Sequence, residues 1–164
     1  MYNCYFCKYH TKNKTKYIEH LNKKENHDID FQMIRNFGDE NLSNLSIKKY
    51  IEMLHKENPL DIISTFINFI NFDENCNMII ENDTIFIKYK NNWIIINEDD
   101  IQCIIVNNIL RHIFRYFIMH SIEIKNTCNN DLEYILLSNK IITSINLGID
   151  NSTNKKPKIK LSKL

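Results

Sequence analysis

Two cysteines separated by two residues, Cys4 and Cys7, are followed after twelve intervening residues by His20, and after six more by His27. No other feature of the chain constrains its fold as tightly. A cysteine pair at this spacing sits on a tight knuckle where both sulfurs can reach one point. Twelve residues then allow a short hairpin and the first turns of a helix, from which a histidine can return to the same point. Such a ligand set suits a tetrahedral Zn2+ ion, so residues 1–27 are expected to form a small ββα finger of the two-cysteine, two-histidine type, with Cys4, Cys7, His20 and His27 as ligands. Tyr2, Tyr9, Tyr17 and Leu21 are placed to pack over the metal as its very small apolar core. Segments below roughly 40 residues rarely hold themselves by burial alone. A structural zinc site contributes roughly 10–16 kcal/mol near neutral pH, so the metal is expected to hold this one.

The histidine spacing is longer than the usual three to five residues. On an unbroken helix His20 and His27 would share a face but stand about 10 Å apart along the axis, too far for one ion. The helix must therefore end or tighten between Asn22 and Asn26, two residues that tolerate the left-handed conformation of a helix stop. His10 and Asp28 are the alternatives for the fourth ligand.

Docked on a duplex as such fingers dock, the helix would place Asn13, Lys16 and Glu19 at the positions that reach base edges, where they suit adenine, guanine and cytosine in turn. Lys8, Lys12, Lys14, Lys23 and Lys24 would then lie near phosphates. One finger reads about 3 base pairs, too few to select a genomic site. Nucleic acid, DNA ahead of RNA, is the expected partner. The alternative is a finger that is purely structural, within a protein-interaction or particle component.

Charge is strongly segregated. Residues 1–27 carry six lysines against Glu19 and Glu25, a net +4; residues 151–164 carry five lysines and no acid, a net +5. Of the 21 basic and 20 acidic residues, 10 and 18 remain between them, a net −8. Basic ends on an acidic body suit polyanion-facing segments attached to a solvated domain. The expected organisation is a finger over 1–27, an acidic α+β body over 28–150 and a basic, disordered tail over 151–164.

Within the body, 31–45 reads as irregular. Ser46 caps a helix over 47–56 with Tyr50, Ile51 and Leu54 on one face, and Asn58-Pro59 starts a second helix to Ile70 whose stripe is Ile62, Ile63, Phe66, Ile67 and Ile70. Strands are expected at 78–81, 84–90 and 93–97, joined by Asn82-Asp83 and Asn91-Asn92 as an antiparallel meander. The middle strand alternates apolar Ile85, Ile87 and Tyr89 with a wetter face of Phe86, Lys88 and Lys90, and Trp93 reads as a core anchor. A long helix from Glu98 to Ile124 would bury Ile101, Ile105, Ile109, Leu110, Ile113, Phe114, Phe117 and Ile118. Asn108, Arg111, His112 and Arg115 would form its solvated stripe. A last helix over 131–147 is expected to stop at Gly148.

His55, His112 and His120 have no local nucleophile or paired carboxylate, and two glycines cannot supply a phosphate loop, so no enzyme activity and no small-molecule substrate are expected. The remaining cysteines, Cys76, Cys103 and Cys128, are odd in number and scattered, which fits small buried hydrophobes in a reducing compartment. The N-terminus has no signal-peptide core, and the most apolar stretch, 101–124, is interrupted by Asn107, Asn108, Arg111, His112 and Arg115. Neither secretion nor a membrane span is expected.

Taken in order, YNCYFCKYHTKNKTKYIEHLNKKENH, FGDENLSNLS and ISTFINFINFDENCNMIIENDTIFIKYKNNW resemble zinc-finger proteins of giant DNA viruses of the mimivirus group, over nearly the whole chain. Two departures are the short connector before Phe31 and the long histidine spacing. The resemblance implies a viral protein made in host cytoplasm and present at replication sites or in particles, and it implies no biochemical activity for the body; a viral protein partner or self-association is a further expectation for that body.

Overall fold

The computed structural model describes residues 1–23, 27, 34–96 and 98–153. Lys24, Asn26, Asp28, Asn97 and the lysine-rich segment 154–164 lie outside them. The fold is α+β. Two compact units arise from chain segments that alternate: residues 1–41 with 70–98 form a sheet unit, and 42–69 with 99–164 a helical unit.

The sheet unit begins with a two-stranded antiparallel pair, β1 (Tyr2–Asn3) and β2 (His10–Thr11), followed by helix α1 (Lys14–Leu21). Asn13 starts α1: its Oδ1 accepts from the Lys16 N–H at 3.0 Å, satisfying one of the helix's orphan donors. Later in the chain β3 (Met78–Glu81), β4 (Thr84–Tyr89) and β5 (Asn92–Ile96) form the expected antiparallel meander. Asn82 and Asp83 take positive φ (48° and 55°), as a two-residue hairpin turn requires. The second turn is Lys90-Asn91 (47° and 65°), not Asn91-Asn92. Asn92 is needed in the ladder opposite Tyr89, which puts Trp93 opposite Lys88 on the Phe86 face. A slip of one residue would turn Trp93 away from it.

The expectation that the finger has its own core, closed at residue 27, is corrected. Tyr17 and Leu21 of α1 lie in one buried cluster with Cys4, Phe6, Ile79, Phe86 and Trp93. Tyr17 meets Tyr2 face to face at 5.4 Å and Phe86 edge-on at 5.2 Å, and its hydroxyl donates to the Asn3 carbonyl at 2.9 Å. A two-turn helix and a four-residue ribbon cannot enclose a tyrosine ring, so the sheet covers it. The supposedly wetter face of β4 is therefore buried: Phe86 is sealed and Lys88 lies 4% exposed, its Nζ donating to the Ile34 carbonyl at 2.6 Å. A long aliphatic stem lets lysine line such a core while its head finds an acceptor.

The FGDE stretch closes the unit through amides. Glu40 Oε1 accepts from the Gly38 N–H at 2.9 Å and from the Asn77 and Asn71 Nδ2 groups at 3.1 and 3.3 Å, and Asn71 Nδ2 also donates to Asn77 Oδ1 at 2.9 Å. The second helix of the body, expected to run to Ile70, instead opens into a π-helix, Asn68–Glu74, which delivers buried Asn71, Asn75 and Asn77 to this network.

In the helical unit α2 (Ile47–Leu54) is capped by Ser46, and α3 (Pro59–Ile67) by Asn58 with Pro59 in its first turn. Next come α4 (Glu98–Met119), α5 (Ser121–Thr127) and α6 (Asp131–Thr153). Three expectations fail here. The long helix breaks at His120 (φ −115°, ψ 22°), after which α5 buries Ile124 completely. Its buried face is also rotated. Taking about 100° per residue from Ile109, Phe114 and Ile118 lie about 140° and 180° away, and Asn108 and His112 about 100° and 60°. Phe114 and Ile118 are accordingly exposed, whereas Asn108 and His112 are buried. Finally, Gly148 does not stop α6, since one glycine costs a helix only about 1 kcal/mol. Tyr50 joins α2 to α4, its ring tilted against that of Tyr116 at 4.7 Å and its hydroxyl donating to the Ile113 carbonyl at 2.8 Å. Among the described residues no helix is long and apolar enough to cross a membrane.

Candidate metal centre

The knuckle closes when the Cys4 N–H donates to the Tyr9 carbonyl at 2.8 Å. Within it, the Phe6 N–H points at Cys4 Sγ and the Tyr9 N–H at Cys7 Sγ, each at 3.4 Å, so backbone dipoles face both sulfurs where negative charge would sit. From α1, His20 brings Nε2 to 3.2 Å from Cys7 Sγ. His27 joins, its ring 4.6 Å from that of His20. One ligand atom from each of Cys4, Cys7, His20 and His27 lies within 4.8 Å of all the others. In a tetrahedral site with bonds near 2.3 Å to sulfur and 2.0–2.1 Å to nitrogen, ligand atoms stand about 3.3–3.8 Å apart. The four residues therefore fit a metal ion with little movement.

Helix α1 ends at Leu21, as the long histidine spacing requires; of the two residues read as tolerating a left-handed stop, Asn26 lies outside the described residues. Asn22 stays right-handed (φ −86°), and its side chain turns to β5. There Oδ1 accepts from the Trp93 N–H at 2.6 Å and Nδ2 donates to the Trp93 carbonyl at 3.2 Å. The amide replaces a neighbouring strand at the sheet's edge and anchors the end of α1 there. His10, weighed as a fourth ligand, is exposed on β2 and outside the group.

Burial sets the protonation chemistry. Burial, with neighbouring Cys7, pushes the Cys4 thiol up to about 11. Burial also lowers His20, helped by repulsion from His27 and Lys23, which favours the neutral imidazole that a metal requires. Two sulfurs in such a pocket need a cation before both can ionise, and a metal ion would invert the local preference.

Sequence reasoning missed two supporting residues. Phe6, 5% exposed, sets its ring edge against His27 at 5.7 Å and leans on Trp93 at 5.8 Å. Asn22 was read for its backbone alone. Lying between the two cysteines, Phe6 carried a local signal; the partner of Asn22 is 71 residues away.

The side chains expected to face nucleic acid are open. Asn13, Lys8, Lys12, Lys14, Lys16, Glu19 and Lys23 are all exposed. Of these, Lys14, Lys16 and Glu19 lie on α1, Lys12 precedes its cap and Lys23 follows its end. Asn13 commits its Oδ1 to the helix cap. Comparisons with protein-family models, curated proteins and solved structures give no match to the chain.

Proposed function

We propose that Cys4, Cys7, His20 and His27 hold a structural Zn2+ and that the protein meets nucleic acid through the lysine face this centre orders. The observation carrying it is the pairing of a closed four-ligand group with exposed lysines around the helix that supplies His20, Lys14 and Lys16 on it and Lys12 and Lys23 just beyond its two ends. With four protein ligands the ion has no open position, which suits structure rather than catalysis. Lysines without a rigid fork neutralise phosphates but read bases poorly, so recognition is mainly electrostatic. The resemblance to giant-virus finger proteins fits such a role at a viral replication site or in a particle.

Titration of the zinc-loaded chain against duplex DNA, single-stranded DNA and RNA over a range of salt tests this. With Lys8, Lys12, Lys16 and Lys23 engaged, log K should fall against log salt with a slope of about −3 to −4 on duplex. Replacing Lys12, Lys16 and Lys23 by Ala should flatten the slope by about 2 to 3 with zinc retained. Absence of binding to all three at low salt would leave the second reading, a structural finger in an interaction or particle component. The finger's shared core with the sheet favours that alternative.

A further inference from the structure

Helix α6 packs one side against α2 and α3, burying Leu137, Ile141 and Ser144. Its other side is open and, from Leu132 to Asn146, exposes no charged residue. From Leu132 to Asn146 the exposed residues are apolar Leu132, Ile135, Leu136 and Ile142, interspersed with Asn139, Thr143 and Asn146. The charged residues of this stretch sit on the flanks and are engaged, Glu133 with His55 at 3.3 Å and Lys140 with the Leu54 and Lys56 carbonyls. In a chain that is 25% charged, a solvated helix face would be the first place for charge.

The spacing of the open face is that of a helix seam. Leu132, Asn139 and Asn146 repeat every seven residues, and Ile135 and Ile142 fall three after the first two, which are the a and d positions of a heptad. We propose that this face pairs with the same face of a second copy of the chain, α6 against α6, parallel and in register. Asparagines select this occupant. In a parallel self-pair Asn139 meets Asn139 and Asn146 meets Asn146, and a primary amide matches its own copy, carbonyl to N–H. An apolar groove on another partner would bury the same amides unmatched.

Area points the same way. The four apolar side chains of α6 are 52–65% exposed. With Asn139, Thr143 and Asn146 the open face of α6 presents seven exposed side chains, on the order of 500–700 Å² together, approaching the ~800 Å² per partner of a standard interface. The acidic middle of the chain repels its copy, but a charge-free seam brings no like charges into contact. Pairing is independent of the metal and of nucleic acid. It would place two lysine faces on one particle and raise avidity for a polyanion without new contacts.

Sedimentation of the full zinc-loaded chain should show mass rising with concentration to twice that of the monomer. Ile135→Asp with Ile142→Asp should weaken association at least about tenfold while leaving helical circular dichroism unchanged. Asn139→Asp and Asn139→Lys, at a position already exposed and polar, should each weaken it, and an equimolar mixture of the two should restore it. The mixture keeps the test decisive even if the isoleucine variant fails to fold. A wild-type chain that stays monomeric, a folded isoleucine variant that still dimerises, or a mixture that does not recover would each overturn the proposal.

Discussion

The two units solve the same problem of burial by opposite means. Among the described residues, all six backbone positions with positive φ, namely Gly38, Cys76, Asn82, Asp83, Lys90 and Asn91, belong to the sheet unit. That unit also holds the buried amides of Asn71, Asn75 and Asn77, the buried Lys88 and the candidate metal centre. Regular α-helices make up most of the helical unit, whose core is mainly isoleucines and leucines with Phe66, Phe69 and two tyrosines, and which also buries Asn108, His112 and Ser144. Periodic packing spreads stability over many equivalent contacts. A core assembled from turns, amides and a cluster of sulfur and imidazole ligands concentrates it in a few, so single changes should cost the sheet unit more.

Metal removal should produce the largest effect. Chelation, or Cys7→Ser, removes an interaction on the order of 10–16 kcal/mol in isolated zinc modules. Because Phe6 bridges His27 and Trp93, the loss should spread beyond residues 1–27. Trp93 emission should shift to the red while most helical circular dichroism persists. An unchanged Trp93 signal after complete zinc removal would break the comparison, since it would mean that the finger and the sheet do not share a core.

Two substitutions sharpen it. Asn77→Ala removes donors to Glu40 and the Asn36 carbonyl as well as the acceptor of Asn71, and should cost the sheet unit about 2–3 kcal/mol. Tyr50→Phe removes one hydroxyl donated to a carbonyl that already lies within a helix, and should cost the helical unit about 1 kcal/mol. Denaturant unfolding followed separately by Trp93 emission and helical circular dichroism resolves the two. Equal costs would show that polar burial is no more critical in one unit than in the other.

A smaller effect is expected at the start of α6. The backbone N–H of Asn129 foremost, then its side-chain amide and His55, hold the Glu133 carboxyl below its ordinary range. Asn130 Oδ1 in return accepts from the Glu133 N–H at 2.9 Å, a reciprocal cap. Since the folded-state value lies below the unfolded-state value, this contribution is fully present above the latter and is lost as pH falls through the former. In an acid titration, Glu133→Gln should remove a small loss of stability below about pH 4.5. The same acid dependence in wild type and variant would exclude the cap as its source.

Features governed by nearest neighbours along the chain were legible in the sequence. The caps at Ser46 and Asn58 could be read because the side chain bonds a backbone N–H two or three residues on. The strand spans and the Asn82-Asp83 turn followed from alternation and turn chemistry, and Trp93 was identifiable as a core anchor. The grouping of Cys4, Cys7, His20 and His27 could be read because one metal ion imposes its spacing on a short segment.

The tertiary structure decided what depends on distant partners. Gly148 was a stop signal only if nothing favoured continuing, and α6 runs through it. Phe114 and His112 exchanged their expected environments because a helix with apolar residues around most of its circumference can bury any of several faces. Neighbouring elements, not periodicity, choose among them. Asn22 found its partner 71 residues away, and Lys88 an acceptor at Ile34. The sequence by itself determined the grouping of Cys4, Cys7, His20 and His27, the caps and the order of the strands, each set by contacts that close within a few residues or around one point. Tertiary structure alone decided that the small module and the sheet share one core, because a helix of eight residues leaves Tyr17 uncovered until Phe86 arrives from 69 positions further along the chain.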